Sequence, residues 1–154
     1  VFIIIFFITK YHKEMLLTKK VMINLSIFLA MALAGGNISF SGTRLFEIWI
    51  IPNIFRYDNL VHIFSSLVIT FAVYYFLYPQ INKKIRNNTL VMCILSILIV
   101  VGLGAIHEVI EFMAVLFLGA AERVGDYFNN AFDLIFNLIG SIIACLFISF
   151  KGKK

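Results

Sequence analysis

One histidine and two carboxylates fall within five positions of a strongly apolar run, Gly104-Ala-Ile-His107-Glu108-Val-Ile-Glu111-Phe112. A charged side chain at the centre of a membrane helix costs about 2.5 to 3.5 kcal/mol on insertion scales, so such groups face protein or water and mark a functional site by default. On helical spacing His107 and Glu111 are four apart and Glu108 and Glu111 three apart, which puts Glu111 between the other two on one face. Imidazole and carboxylate together offer ligands for zinc, manganese or magnesium, and a His/Glu pair four apart has the spacing of helical metal sites. A metal held there would activate water for attack on an ester or phosphoester. Without metal, clustered carboxylates in a low-dielectric site cannot all ionise, and one would keep its proton and serve as a general acid or proton carrier.

Two further segments carry matching groups. Asp58 and His62 stand one turn apart at the start of another apolar run, with Ser65 and Ser66 a turn deeper. Asp126, Asn130, Asp133, Asn137 and Gly140 recur at spacings of four, three, four and three, a single helical face. The candidate catalytic set is therefore Asp58, His62, His107, Glu108, Glu111, Asp126 and Asp133. Within it His62, His107, Glu111 and Asp133 are the candidate metal ligands, His107 and Glu111 serving alternatively as an acid/base pair. Asp58 would orient His62, and Asn137 would complete the site beside Asp133. Arg123, Asn130 and Asn137 are candidate substrate contacts, Arg123 because a guanidinium receives phosphate or carboxylate. Each group also has a structural use. Asp58 can cap its helix and bond to His62, and the clusters on the other two segments can act as hydrogen-bonded glue between helices. Ser65 and Ser66 fit as small packing residues.

The elements that position these groups follow from composition. The chain has 154 residues, 62% of them hydrophobic, and a mean hydropathy of +0.99. That combination is an integral membrane protein of a single domain, all-α, a polytopic transmembrane helix bundle. Complete spans are expected at 21–40, 58–78, 89–118 and 129–150, with Pro79 closing the second, and 1–9 reads as the remnant of a truncated N-terminal fifth. The apolar, aromatic segment 41–57 is too short to cross and reads as interfacial or re-entrant, with Trp49 at headgroup level. Cys93 and Cys145 lie in apolar runs without a metal or redox spacing and read as small buried hydrophobes.

The net charge of +5 is a topology signal rather than a nucleic-acid footprint. Ten of the thirteen basic residues lie in 10–20, 83–86 and 151–154, all on one side of the bundle, and only Arg44, Arg56 and Arg123 lie on the other. The positive-inside rule makes the first side cytoplasmic and opens the acidic/His cavity outward. The abundance of Ile, Asn, Lys and Phe suggests an AT-rich prokaryotic genome, hence a cytoplasmic membrane with the polar site on its extracytoplasmic side.

Asp58-x-x-x-His62, Glu108-x-x-Glu111, Arg123-x-Gly125-Asp126 and Asp133-x-x-x-Asn137-x-x-Gly140 together resemble the VanZ-like superfamily and, more closely, the YjdF-type small membrane proteins, over roughly residues 57 to 145. The chain departs from the YjdF type at Asn129, where an aspartate would stand. The resemblance implies a bundle of transmembrane helices and, for VanZ-like members, an association with teicoplanin resistance and the cell envelope. A metal-dependent hydrolase or binder of membrane lipid, or of a lipid-linked or amphiphilic substrate, accommodates all these features. A proton- or cation-coupled transporter and a non-catalytic envelope or assembly protein are the alternatives.

Overall fold

The computed structural model describes residues 19–119 and 127–151. Within them the chain forms helix α1 (Lys19–Asn37), strands β1 (Ser39–Phe40) and β2 (Thr43–Arg44), a 3-10 turn at Leu45–Glu47, strands β3 (Trp49–Ile51) and β4 (Phe55–Arg56), then α2 (Tyr57–Gln80), a short α3 (Lys83–Arg86), α4 (Thr89–Leu118) and α5 (Tyr127–Lys151). Four of these helices are long and apolar enough to cross a membrane. The all-α polytopic bundle expected from composition is the architecture observed, with β-structure confined to two short antiparallel pairs in one connection. The stretch 1–9, Arg123 and Asp126 lie outside the described residues.

Helix ends follow local chemistry. Asn82 and Asn88 cap α3 and α4, their side-chain oxygens accepting from the amides of Lys84 at 2.9 Å and Val91 at 3.2 Å. Gly119 ends α4 in the left-handed region at φ 64°, where a side chain would be strained. The first span stops at Asn37 rather than at residue 40, because Ile38 to Arg44 turns back as a hairpin through Ser41-Gly42, both at positive φ. That pair has the backbone signs of a type I′ turn, which matches the twist of paired strands. The second span runs through Pro79 to Gln80, two residues beyond the expected limit at 78.

The connection 38–56 is stitched to the helices it joins. Leu45 donates its amide to the Ile38 carbonyl and Tyr57 to that of Ile48, each at 2.9 Å. The Phe46 ring lies over Gly35, where a Cβ would collide with it, and the Tyr57 hydroxyl donates to the Met31 carbonyl at 3.2 Å. On the other flank Phe55 meets Phe136 edge to face at 5.4 Å.

Helix α2 is the hub, packing on α1, α4 and α5, and α4 also packs on α5. Lipid offers apolar side chains no gain from leaving water, so close backbone approach through small residues holds such a bundle together. The α2–α4–α5 core accordingly buries Ser65, Ser66, Thr70, Ser96, Gly140, Ser141, Ala144 and both cysteines. Ser66, Thr70, Ser96 and Ser141 each donate to a carbonyl four residues back at 2.7–2.8 Å, so each of these four hydroxyls is satisfied within its own helix. Gly140 sits directly against Ser66 and the Ile63 carbonyl, leaving no space for a Cβ. One end of the bundle carries Lys19, Lys20, Lys83, Lys84 and Arg86, and the opposite end carries β1–β4 and the acidic groups.

Gly140→Ala should therefore destabilise the bundle by about 1–3 kcal/mol, the usual range for overpacking. Gly102→Ala, at a position with nothing within 4 Å, should raise stability by roughly 0.5–1 kcal/mol through backbone entropy. Thermal unfolding in detergent reads both. The charge asymmetry further predicts that a cysteine placed at Lys84 reacts with a membrane-impermeant maleimide only after permeabilisation, whereas one at Asn53 reacts in intact cells.

Candidate functional site

At the non-basic end, α2 contributes Asp58 and His62 from its first two turns, α5 contributes Asp133 and Asn137, and α4 contributes Glu108. His62 Nε2 lies 3.7 Å from Asp58 Oδ1 and 3.6 Å from Asp133 Oδ1. Asp58, His62 and Asp133 each offer one ligand atom, all within 4.8 Å of one another. On the far side of the ring, Nδ1 lies 3.3 Å from Asn137 Oδ1. Donating there places the ring proton on Nδ1 and turns the Nε2 lone pair toward the two carboxylates. Three electron-pair donors then face one another, an arrangement that calls for a proton on Nε2 or on one of the carboxylates, or for a metal ion between them.

The surroundings hold that geometry. Asp133 is 1% exposed, and its Oδ2 accepts from Asn129 Nδ2 at 2.8 Å, while Oδ1 has no hydrogen-bond partner among the described residues. Asn59, buried at the first turn of α2, accepts the Arg56 amide at 2.9 Å through Oδ1 and stands beside Asp133. Asn137 can face His62 because Gly104 of α4 leaves room for its amide: a Cβ at Gly104 would come within 2.7 Å of Asn137 Nδ2.

Helix α4 presents its three ionisable groups unequally. Glu108, 7% exposed, is turned inward into the electrostatic neighbourhood of Asp133, Glu111 and His62, and neither of its carboxylate oxygens has a hydrogen-bond partner among the described residues. Glu111 is half-buried and pairs with His107 at 3.4 Å. The His107 side chain is 57% exposed, its ring 6.4 Å from that of His62. The residues whose candidate ligand atoms converge are therefore Asp58, His62 and Asp133, with His107 and Glu111 flanking them as a separate pair. Of the expected substrate contacts, Asn137 joins the cluster through His62, whereas Asn130 has its Oδ1 buried without a hydrogen-bond partner among the described residues.

Arg56, Asn59 and Asn129 belong to the site although sequence reasoning assigned them no role. Arg56 donates from Nη1 to Asn129 Oδ1 at 3.4 Å, and its guanidinium lies 4.3 Å from the centre of the Trp49 ring. That stacking is set by strand register, since Trp49 and Arg56 are paired across β3 and β4. A signal was present: an arginine immediately before the first turn of a span with an acid two residues on.

The model of a family described as "Predicted membrane protein (DUF2238)" matches residues 1–154. No curated protein and no solved structure matches the chain.

A buried acid without a partner destabilises a fold that keeps it only as filler. Glu108→Met should therefore raise thermal stability by about 1–3 kcal/mol, the desolvation cost of an unsatisfied group. If Glu108 served as interhelical glue, the same substitution would lower it.

Proposed function

The chain belongs to the DUF2238 family of membrane proteins, and we propose that it is an envelope protein whose intramembrane site binds a divalent cation and acts hydrolytically on a lipid-linked or amphiphilic substrate. One observation carries this reading: His62 Nε2 and a carboxylate oxygen from each of Asp58 and Asp133 converge within 4.8 Å, with Glu108 buried beside them. One imidazole and two carboxylates suit zinc or manganese, magnesium being the harder alternative. A metal held there would supply a water that is nucleophilic at neutral pH and a Lewis acid for an ester or phosphoester oxygen.

The protein's own groups have distinct tasks in this reading. Asn137 orients the His62 ring and fixes its tautomer, as the outer partner of a metal-bound histidine does. Asn129 holds Asp133 by Oδ2 and leaves Oδ1 toward the cluster. Glu108, with two oxygens uncommitted, is placed to take a proton from water, and His107 with Glu111 can return one to a leaving group. The VanZ/YjdF-like pattern at Asp58, His62, Glu108, Glu111, Asp133 and Asn137 supports an envelope setting, and the charge asymmetry supports an extracytoplasmic opening.

A transporter reading needs a polar path to the basic end. Below Gly140 the core consists of Val68, Met92, Cys93, Ala144 and hydroxyls already bonded to their own helices, which favours a closed site.

Protein purified in neutral detergent and washed free of loose ions should contain a stoichiometric divalent metal by elemental analysis. His62→Ala and Asp133→Asn should lose at least nine-tenths of it, while circular dichroism and thermal unfolding still report a folded bundle. Absence of metal in the wild type after supplementation with zinc, manganese and magnesium would leave the proton-holding form of the cluster and remove the hydrolytic reading.

A further inference from the structure

Above the acid/His cluster, at the same end of the bundle, lies a second feature of opposite charge. A cavity of about 100 Å³ is lined by Trp49, Arg56, Asn59, Phe128, Asn129 and Phe132, together with two residues of the β3–β4 turn. Arg56 is the only basic residue among the described residues that line it. Among the described residues no carboxylate lies within ion-pair distance of its guanidinium, in contrast to Arg44, which is paired with Glu47. A guanidinium has five donors in a fixed fork, and here its direct contacts among the described residues are one hydrogen bond to Asn129 and the face of Trp49. Asp58 and Asp133 feel its charge without an ion pair to it. An arginine left with open donors in a cavity matches a planar or tetrahedral oxyanion, phosphate above all.

Two further observations point the same way. Helix α2 begins at this cavity with Arg56 immediately before it, so the positive end of its dipole adds to the guanidinium charge there. The walls beside the polar floor are apolar and exposed: Ile54 is 68%, Phe128 69% and Phe132 48% accessible. A charged anchor flanked by an open apolar face fits a ligand with an anionic head and a hydrocarbon continuation.

We propose that this cavity is a phosphate-binding subsite with Arg56 as its anchor, and that the substrate of the neighbouring site is a phosphate-bearing amphiphile. The substrate half of this statement rests on the proposed hydrolytic function; the anion site does not. Asn59 and Asn129 connect the two places, since Asn129 bonds both Arg56 and Asp133, and Asn59 bonds the Arg56 amide and stands beside Asp133. A phosphate on Arg56 is thereby held over the carboxylates by the same side chains that position them.

Isothermal titration of the full chain in neutral detergent tests this with three soluble probes: inorganic phosphate, dihexanoyl phosphatidic acid and dihexanoyl phosphatidylcholine. Trp49, the sole tryptophan, provides a second readout, because a ligand that draws the guanidinium off its ring alters its emission. Phosphatidic acid should bind and phosphatidylcholine should not. Arg56→Gln should weaken phosphatidic acid binding at least tenfold, with Arg56→Lys intermediate, and bound metal should be unchanged in both. Inorganic phosphate binding tenfold or more weakly than phosphatidic acid identifies a lipid headgroup as the source, and equal affinity identifies free phosphate at the same anion site. Arg56-dependent binding in protein that holds no metal would sustain the anion site while removing the hydrolytic reading. Wild-type protein that binds neither phosphate probe, or Arg56→Gln that binds phosphatidic acid as tightly as wild type, would overturn the proposal.

Discussion

Three lone pairs cannot face one another in a low-dielectric interior without a proton or a metal ion between them, and the His62–Asp58–Asp133 arrangement sets them there with atoms at 3.6–3.7 Å. Burial of such groups is costly whether they are paired or not. The fold meets this constraint by geometry. Gly140 lets α5 approach α2 until Ser66 and the Ile63 carbonyl touch it, which brings Asp133, two turns earlier on α5, to the level of His62. Gly104 does the same for α4 and Asn137. Both glycines act by making room for a neighbour, and both lie within two turns of the groups they bring together.

The bundle separates into two parts by how polarity is handled. Toward the basic end the buried hydroxyls among the described residues are bonded within their own helices, and only the weak thiol-to-carbonyl contacts of Cys93 and Cys145 cross between them. Cys93, Cys145 and Ile148 form an apolar cluster there with Phe71, Tyr74 and Ile97 around it. Toward the other end the polar contacts run between helices: His62 to Asn137, His62 to Asp133, Arg56 to Asn129. Interhelical polar contacts are worth only about 0.6 kcal/mol on average in membrane proteins, too little to offset burial of several acids. Stability therefore comes from the dry half, and the polar half imposes a cost on it.

Sequence reasoning reached the spans and the acids because both have strong signals, length of apolar run in one case and the expense of charge in lipid in the other. It gave 89–118 as a span, the same limits as α4. It placed Glu111 at the centre of its cluster from spacing alone, whereas Glu108 is the residue buried against the other helices and His107 the one most exposed. Spacing defines relative angles around a helix but not which angle faces the neighbour; that is set by contact, here by Gly104 four residues before Glu108. The Trp49–Arg56 stack depends on strand pairing across a turn, and a two- or three-residue strand has too little alternation to reveal its register. Ser41-Gly42 could have been read as a hairpin turn, since it separates Phe40 and Thr43 by two turn-forming residues.

The position of the His107–Glu111 pair bears on how the site relates to the membrane. Around it the surface of α4 is apolar, with Leu103, Ile106, Ile110 and Met113 all exposed. Two polar groups on such a surface are tolerable when each supplies the other with a partner, as their 3.4 Å contact does, and when they adjoin a polar interior, as the 6.4 Å separation of His107 from His62 provides. The cluster thus borders the flank of the bundle through this pair as well as the end cavity at Arg56. A ligand confined to water would need only the end cavity. A ligand carried in the bilayer would meet the cluster from the flank, with its apolar part against the exposed side chains of α4, so the same polar pair that raises the cost of insertion also marks where the carboxylates come nearest to the apolar surface of α4.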